Sequence, residues 1–307
     1  MPAVSIIMNV QNGAATLREA LQSALAQTFT DWELIVWDDC STDDSASIAR
    51  SFADNRIQYV GAVEKVSLAR ARQSAIQLAR GEWLAFLDQD DIWMPRKLEM
   101  QLTAAGPSSV GLIYGRTVAF TSGGSQRDHD YLHEFGPLPE GDIQTELVGR
   151  GCFIAMSSAL VRRSAALAAG AIPQFVRVTP DYFLYLSVCE KYEARAVQEV
   201  VCYYRMHAAS MTGRVRRQLF EETKLLVERW RDAVPDDVYD RRMRGICTAL
   251  AVEEMQSPAT FLAGAVRLMK SGSIPWLASR PLVHMWRAMR RRIRTPYWKR
   301  VRSSNGG

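Results

Sequence analysis

Two apolar runs, each ending in carboxylates, constrain this chain most. Leu34 to Trp37 runs directly into Asp38-Asp39, and Trp83 to Leu87 runs into Asp88-Gln89-Asp90-Asp91. Short apolar runs of this kind suit strands buried on both faces. Val4 to Val10 and Ile57 to Val60 read the same way. Helical patterns fill the gaps between them. Leu17, Ala20, Leu21, Ala24 and Leu25 follow helical spacing behind a Thr16–Glu19 capping box. Ser41 and Thr42 are suited to cap a second helix ending near Phe52, and Ser67 to cap a third that Gly81 stops. Strand and helix in alternation predict the α/β class, with a Rossmann-like, doubly wound and mostly parallel sheet. Ligands of such sheets bind beyond the carboxyl ends of the strands, where both acidic clusters fall.

The rest of the chain is less regular. Thr121 to Gly141 is polar, with Gly and Pro, and reads as a long loop of the kind that carries function. Ile154 to Val161 reads as a further strand, Tyr182 to Cys189 as a helix, and Val197 to Met206 as a strand. Beyond residue 215 the pattern is helical and the charge changes. Residues 1–215 hold 19 Lys and Arg against 24 Asp and Glu, whereas residues 216–307 hold 19 against 9. The expected organisation is a catalytic body over 1–214 and a basic helical C-terminal extension over 215–307. The five cysteines are scattered with no CxxC pair, which argues against a disulfide framework or a zinc site. The first residues do not form a signal peptide, and no apolar run is long enough to span a membrane. A cytoplasmic location is therefore expected.

Three carboxylates within four positions, Asp88, Asp90 and Asp91, repel one another unless a cation or solvent compensates. Oxygen ligands at a strand end suit Mg²⁺ or Mn²⁺ bridging a diphosphate, and the bland alternative is a solvated turn. Ile92-Trp93 would then cover the site. Asp38 and Asp39 can accept hydrogen bonds from a ribose or a base, or else cap the following helix.

Val4-Ser5-Ile6-Ile7, Asp38-Asp39-Cys40-Ser41-Thr42-Asp43, Ala71-Arg72, the run from Gly81 to Asp91 and the run from Tyr204 to Ser210 together resemble glycosyltransferase family 2. The resemblance covers roughly residues 3–213. It implies a GT-A fold, a nucleotide-sugar donor, usually a UDP-sugar, a divalent cation (Mn²⁺ or Mg²⁺) and inversion of the anomeric centre. It also implies roles: Asp39 on the base, Val10 and Asn12 along the nucleotide, Arg72 holding the nucleotide side, and Asp88 on the ribose or donor sugar. Asp90 would bind the metal, His207 would join its shell or touch the diphosphate, and Asp181 would be the catalytic base. The chain departs from the family pattern at Cys40 and Ser67, where Gly is usual, and at Gln73, where Asn is usual. Asp181 also lacks an acidic neighbour.

Arg229-Trp230 matches the end of the QxxRW motif of processive synthases, but Leu226 stands where Gln is required, so one sugar per encounter is expected. Between Arg287 and Arg302, eight basic residues and no acidic ones interleave with Trp286, Tyr297 and Trp298. That pattern suits an anionic membrane surface and would make a lipid-linked saccharide a sensible acceptor, with the protein peripheral at the inner face of the membrane. No nucleic-acid motif accompanies it. Two other readings compete. A sugar nucleotidylyltransferase would need a Gly-rich phosphate loop, which Val10-Gln11-Asn12-Gly13 is not. A non-catalytic nucleotide-sugar-binding protein would be free to lose Asp90 or Asp181, and both are present.

Overall fold

Strand β1 (Val4–Val10) is the spine of the molecule, because its side chains are buried on both faces. It pairs in parallel with β2 (Trp32–Asp38) on one side and β4 (Trp83–Phe86) on the other, and β2 pairs in parallel with β3 (Ile57–Gly61). Helices α1 (Leu17–Leu25), α2 (Ser45–Arg50) and α3 (Leu68–Leu78) connect these strands. The computed structural model describes residues 1–121, 126–130, 136–170, 172–173, 175–207, 215–256 and 260–270.

Beyond β4 the sheet becomes mixed. Its order is β3-β2-β1-β4-β8-β6-β9-β5, with β8 (Leu160–Arg162), β6 (Val110–Thr121), β9 (Glu193–Met206) and β5 (Ile92–Trp93). Strand β7 (Gln126–Asp130) pairs with β6 outside this path. Parallel pairing runs through the longest ladders, β1–β2 and β6–β9. Further helices are α4 (Lys97–Thr103), α5 (Gln144–Arg150), α6 (Arg163–Ala168), α7 (Pro180–Cys189), α8 (Arg216–Arg229), α9 (Asp236–Met255) and α10 (Phe261–Lys270). The fold is of the α/β class, built on this one sheet. The chain divides into two compact units, residues 1–242 and 243–307. Among the described residues no helix is long and apolar enough to cross a membrane. The basic, aromatic segment from Trp276 to Arg302 lies outside the described residues.

Several local expectations change in the structure. Ile154 to Val161 is not one strand: Met156–Ser158 form a 3₁₀ turn before the short β8. The buried Ser158 turns its hydroxyl and backbone N–H back to the Ala155 carbonyl while the Ser157 hydroxyl reaches Asp91, so the run does not stay extended. Ile92-Trp93 enters the sheet beside β9 instead of covering the acidic loop, and the Trp93 indole nitrogen donates to the Ser157 carbonyl at 2.7 Å. Thr16 makes no side-chain cap, because Glu19 turns away to pair with Arg205. Helix α2 starts later than expected, behind Asp44, while Ser41 accepts a hydrogen bond from the Asn12 backbone. The polar 121–141 stretch contains β7, which its charged sequence conceals. Ser67 does cap α3, accepting from the Arg70 backbone.

At the N-terminal end of the parallel strands, Ser5, Glu33 and Arg80 lock three segments together. The Ser5 hydroxyl donates to Glu33 at 2.6 Å and accepts from the backbone of Gly81, while the Arg80 guanidinium pairs with Glu33. Burial works against ionisation of Glu33, but the hydrogen bonds from Arg80 and Ser5 outweigh it and hold the carboxyl below its usual range. The opposite, C-terminal end of the strands is left for the site.

Candidate active site

The loops after β1 and β2 are sewn together across the end of the sheet. The Asn12 side-chain oxygen accepts from the Thr42 backbone at 2.8 Å, and the Gly13 and Ala14 backbones donate to Ser45 and Asp43. Asn12 and Cys40 both sit at positive φ, 50° and 58°. Asn tolerates that region and Cys does not favour it, which explains why Gly is the usual residue at position 40. Asp38 is consumed within the fold, accepting from the Ser41 backbone at 2.8 Å and from the Tyr59 hydroxyl at 2.7 Å. Asp39 is buried just beyond the end of β2, where it accepts from the Val66 backbone at 3.0 Å and faces Gln11. The Asp39 backbone donates to the Val10 carbonyl at 2.8 Å. Val10 itself is a core residue, so it could face a ligand only through its backbone.

The acidic loop after β4 gives its three carboxylates different surroundings. Asp91 points inward, accepting from the Ser157 hydroxyl at 2.6 Å and from the Arg205 backbone at 3.0 Å. Its burial, together with Asp88 and Asp90, pushes its pKa well above the usual range. The same Ser157 hydroxyl accepts from the Asp88 backbone at 3.0 Å, so one serine fixes both ends of the loop. Gln89 ties the loop to the β1 end through reciprocal bonds with the Gln11 backbone. Arg205 binds the Asp90 carbonyl at 2.8 Å, and its guanidinium pairs with Glu19.

Asp88 and Asp90 are left facing outward. Arg72, buried on α3, donates to Asp88 at 3.1 Å, while its Nε has no partner among the described residues. Burial pushes Asp88 up to about 6, opposed by Arg72 and reinforced by Asp90 and Asp181. Asp90 Oδ2 lies 2.8 Å from His207 Nε2. One carboxylate and one imidazole fit a divalent ion that draws its other ligands from outside the protein. Among the described residues no group of three His, Cys, Asp or Glu converges as a metal site.

Asp181 lies in the first turn of α7. It does not cap that helix: the N-cap residue is Thr179, and the capping is done from outside by Glu222 of α8. Glu222 Oε2 accepts from the backbones of Val178 and Thr179 at 2.9 and 3.1 Å and from the Thr179 hydroxyl at 2.9 Å. The Asp181 carboxylate is therefore free to face a cavity of about 320 Å³. Arg72, Asp88, Cys152, Tyr204 and Arg242 share the cavity wall with it. Burial raises the Asp181 pKa, while the nearby Arg72 charge and hydrogen bonds from the Tyr182 backbone and the Cys152 thiol oppose the rise.

The structure thus brings Arg72, Asp88 and Asp181 to one cavity and pairs Asp90 with His207. It holds Asp39 with Val10 and Asn12 at the neighbouring strand ends. Gln11, Gln89, Ser157, Cys152 and Glu222 were not singled out from the sequence. Arg205 stands inside a recognised run, two positions before His207, and its place there was the available signal. For Ser157 and Glu222 no local signal exists, because each acts on a segment at least 43 residues away.

Comparison with known proteins gives the family and the fold. The family model for glycosyl transferase family 2 matches residues 5–168, a segment that holds the acidic loop but neither Asp181 nor His207. The UDP-Glc:alpha-D-GlcNAc-diphosphoundecaprenol beta-1,3-glucosyltransferase WfaP of Escherichia coli is 30% identical over 227 residues, covering 74% of this chain and 86% of the relative. Among solved structures, the mannosyltransferase PcManGT of Pyrobaculum calidifontis, in complex with GDP-Man and Mn²⁺, superposes with a TM-score of 0.62 at 19% identity, covering 94% of this chain and 80% of the other. S. aureus TarS 1-349 in complex with UDP superposes at 0.56 with 15% identity, covering 87% and 70%. At such identities the structural matches speak for the GT-A fold alone. With its family model covering more than half of its length and the E. coli relative aligned along most of it, this chain belongs to glycosyl transferase family 2 and is a glycosyltransferase.

Proposed function

We propose that the protein moves one sugar from a UDP-sugar to a hydroxyl of a lipid-linked saccharide, with inversion at the anomeric carbon, in the synthesis of a cell-envelope polysaccharide. The observation that carries this reading is the single cavity in which Asp181 faces Asp88 and Arg72. A base, a donor-sugar contact and a cation are what a single displacement needs in one place. The E. coli relative's name supplies the donor and acceptor classes.

In this reading Asp39 accepts from the uracil ring, with Asn12 and the Val10 backbone along the nucleotide. Arg72 offers its unpaired Nε to the donor while holding Asp88 toward the sugar. Asp90 and His207 hold Mn²⁺ or Mg²⁺, which when bound offsets the charge of the departing diphosphate. Asp181 accepts the proton of the attacking hydroxyl. Residues 1–214 form the catalytic body. The basic, aromatic segment near the C-terminus rests on an anionic membrane surface, which brings the site to a lipid-borne acceptor and makes the protein peripheral at the inner face of the membrane.

The test is product formation. The full chain with Mn²⁺, a panel of UDP-sugars and a GlcNAc-diphosphate lipid should yield a glycosylated lipid whose new linkage is β when the donor is α. Asp181→Asn should lower the rate by about 100-fold or more. A product that keeps the donor configuration, or an Asp181→Asn enzyme of undiminished rate, would contradict the proposal.

A further inference from the structure

We infer that the cavity holds a second anion site, built on Arg242, for a phosphate group attached to the accepting sugar. The inference rests on Asp181 being the base, since that places the acceptor hydroxyl and fixes which end of the cavity faces the rest of the acceptor.

Arg242, on α9, lines the same cavity as Asp181. Its guanidinium lies against Gly151, immediately after α5. A Cβ at Gly151 would fall 2.4 Å from Arg242 Nη2, and the backbone there has φ of 91°. The positive φ strains any side chain at position 151, and the glycine leaves the guanidinium room to lie against it beside the cavity. The Tyr182 side chain, whose hydroxyl donates to the Leu147 carbonyl at 2.8 Å, lines the cavity beside Arg242. Arg242 Nε is buried with no hydrogen-bond partner among the described residues.

What Arg242 lacks is a counter-charge. Arg72 pairs with Asp88, Arg205 with Glu19 and Arg162 with Glu82, but among the described residues no carboxylate pairs with Arg242. A guanidinium drawn partly out of water without an acid beside it is expensive unless a ligand supplies the charge. Arg150, which packs over the Phe153 ring at 5.1 Å, lines the cavity as a second cation. The guanidinium fork suits phosphate oxygens better than neutral hydroxyls. The donor diphosphate is provided for elsewhere, beside Asp90 and Arg72. An acceptor hydroxyl at Asp181 would leave its phosphate-bearing end toward Arg242.

The test separates this site from the donor site. Full-length protein saturated with UDP and Mn²⁺ is titrated by calorimetry with decyl diphosphate, inorganic pyrophosphate and decyl glucoside, for wild type, Arg242→Gln and Arg242→Lys. Decyl diphosphate should bind the wild type more tightly than pyrophosphate. Its affinity should fall about tenfold or more in Arg242→Gln and less in Arg242→Lys, while decyl glucoside distinguishes none of the three. Equal decyl diphosphate affinity in wild type and Arg242→Gln, or no binding to the wild type, would overturn the inference. Pyrophosphate binding more tightly than decyl diphosphate would overturn it too, as it would assign the cation to free phosphate. A separate UDP isotherm on each protein reports folding and the donor site. If UDP fails to bind the wild type, the donor reading fails, and the decyl diphosphate titration of UDP-free protein still decides Arg242.

Discussion

Asp181 is a half-buried carboxylate with no cationic partner at hydrogen-bonding distance among the described residues, and its burial raises its pKa. A base must be ionised to act, so the rate should fall as pH drops through this raised value, above the range of an ordinary aspartate. The Cys152 thiol opposes the rise by hydrogen-bonding to the carboxylate. Cys152→Ala should therefore move the acid limb of kcat to higher pH, and an unmoved limb in a pH–rate profile would count against this assignment. Stability carries the opposite sign. Between the ordinary and the raised pKa the folded state keeps a proton that the unfolded chain has lost, so stability declines as pH rises through that window. Asp181→Asn removes this penalty and should melt higher than wild type at pH 7 while losing activity, as expected where a site trades stability for chemistry.

Among the elements, α7 and α8 show why a reading along the chain stops short of the site. Pro180 and Asp181 announce a helix start, and α7 forms there. In that first turn the Tyr182 backbone donates to Asp181 itself, while the entry to the helix at Val178 and Thr179 is held by a carboxylate 43 residues beyond Thr179, Glu222. No spacing rule links the two. Glu222 is a positioning residue: without it, Val178 and Thr179 lose three hydrogen bonds just before the turn that carries Asp181. Glu222→Ala should lower kcat about tenfold with the donor KM unchanged, and Glu222→Gln should recover part of that loss. A Tm decrease from Glu222→Ala with kcat intact would make the contact merely structural. The most legible elements, β1 and β4, are those whose burial is continuous. β1 runs apolar from Val4 to Val10 but for Ser5 and Asn9, and β4 runs apolar throughout. β6 was not legible because Gly111 and Gly115 interrupt it. At Gly115 the reason is tertiary: a Cβ there would meet Val201 of β9 at 2.6 Å. The two-residue β5 and the charged β7 are too short or too polar for periodicity to register.

Over the whole molecule, structure and chemistry separate to opposite ends of the parallel strands. The Ser5–Glu33–Arg80 cluster closes one end, and every candidate site residue before Asp181 except Arg72, which reaches in from α3, lies in or beside the loops at the other. Both acidic clusters split in the same way, one carboxylate spent on holding the loop and its neighbour the one we assign to a ligand: Asp38 against Asp39, and Asp91 against Asp88 and Asp90. This division was invisible in the bare run of aspartates and depends on distant groups, Tyr59, Ser157 and Arg205. With two protein side chains at the metal position, the ion and the nucleotide diphosphate should depend on each other for tight binding. Calorimetric titration of the full chain with UDP, with and without Mn²⁺ and repeated on Asp90→Ala, tests that claim most directly. The account predicts UDP binding strengthened by Mn²⁺, with the strengthening lost in Asp90→Ala. UDP affinity indifferent to both the metal and the substitution would contradict it.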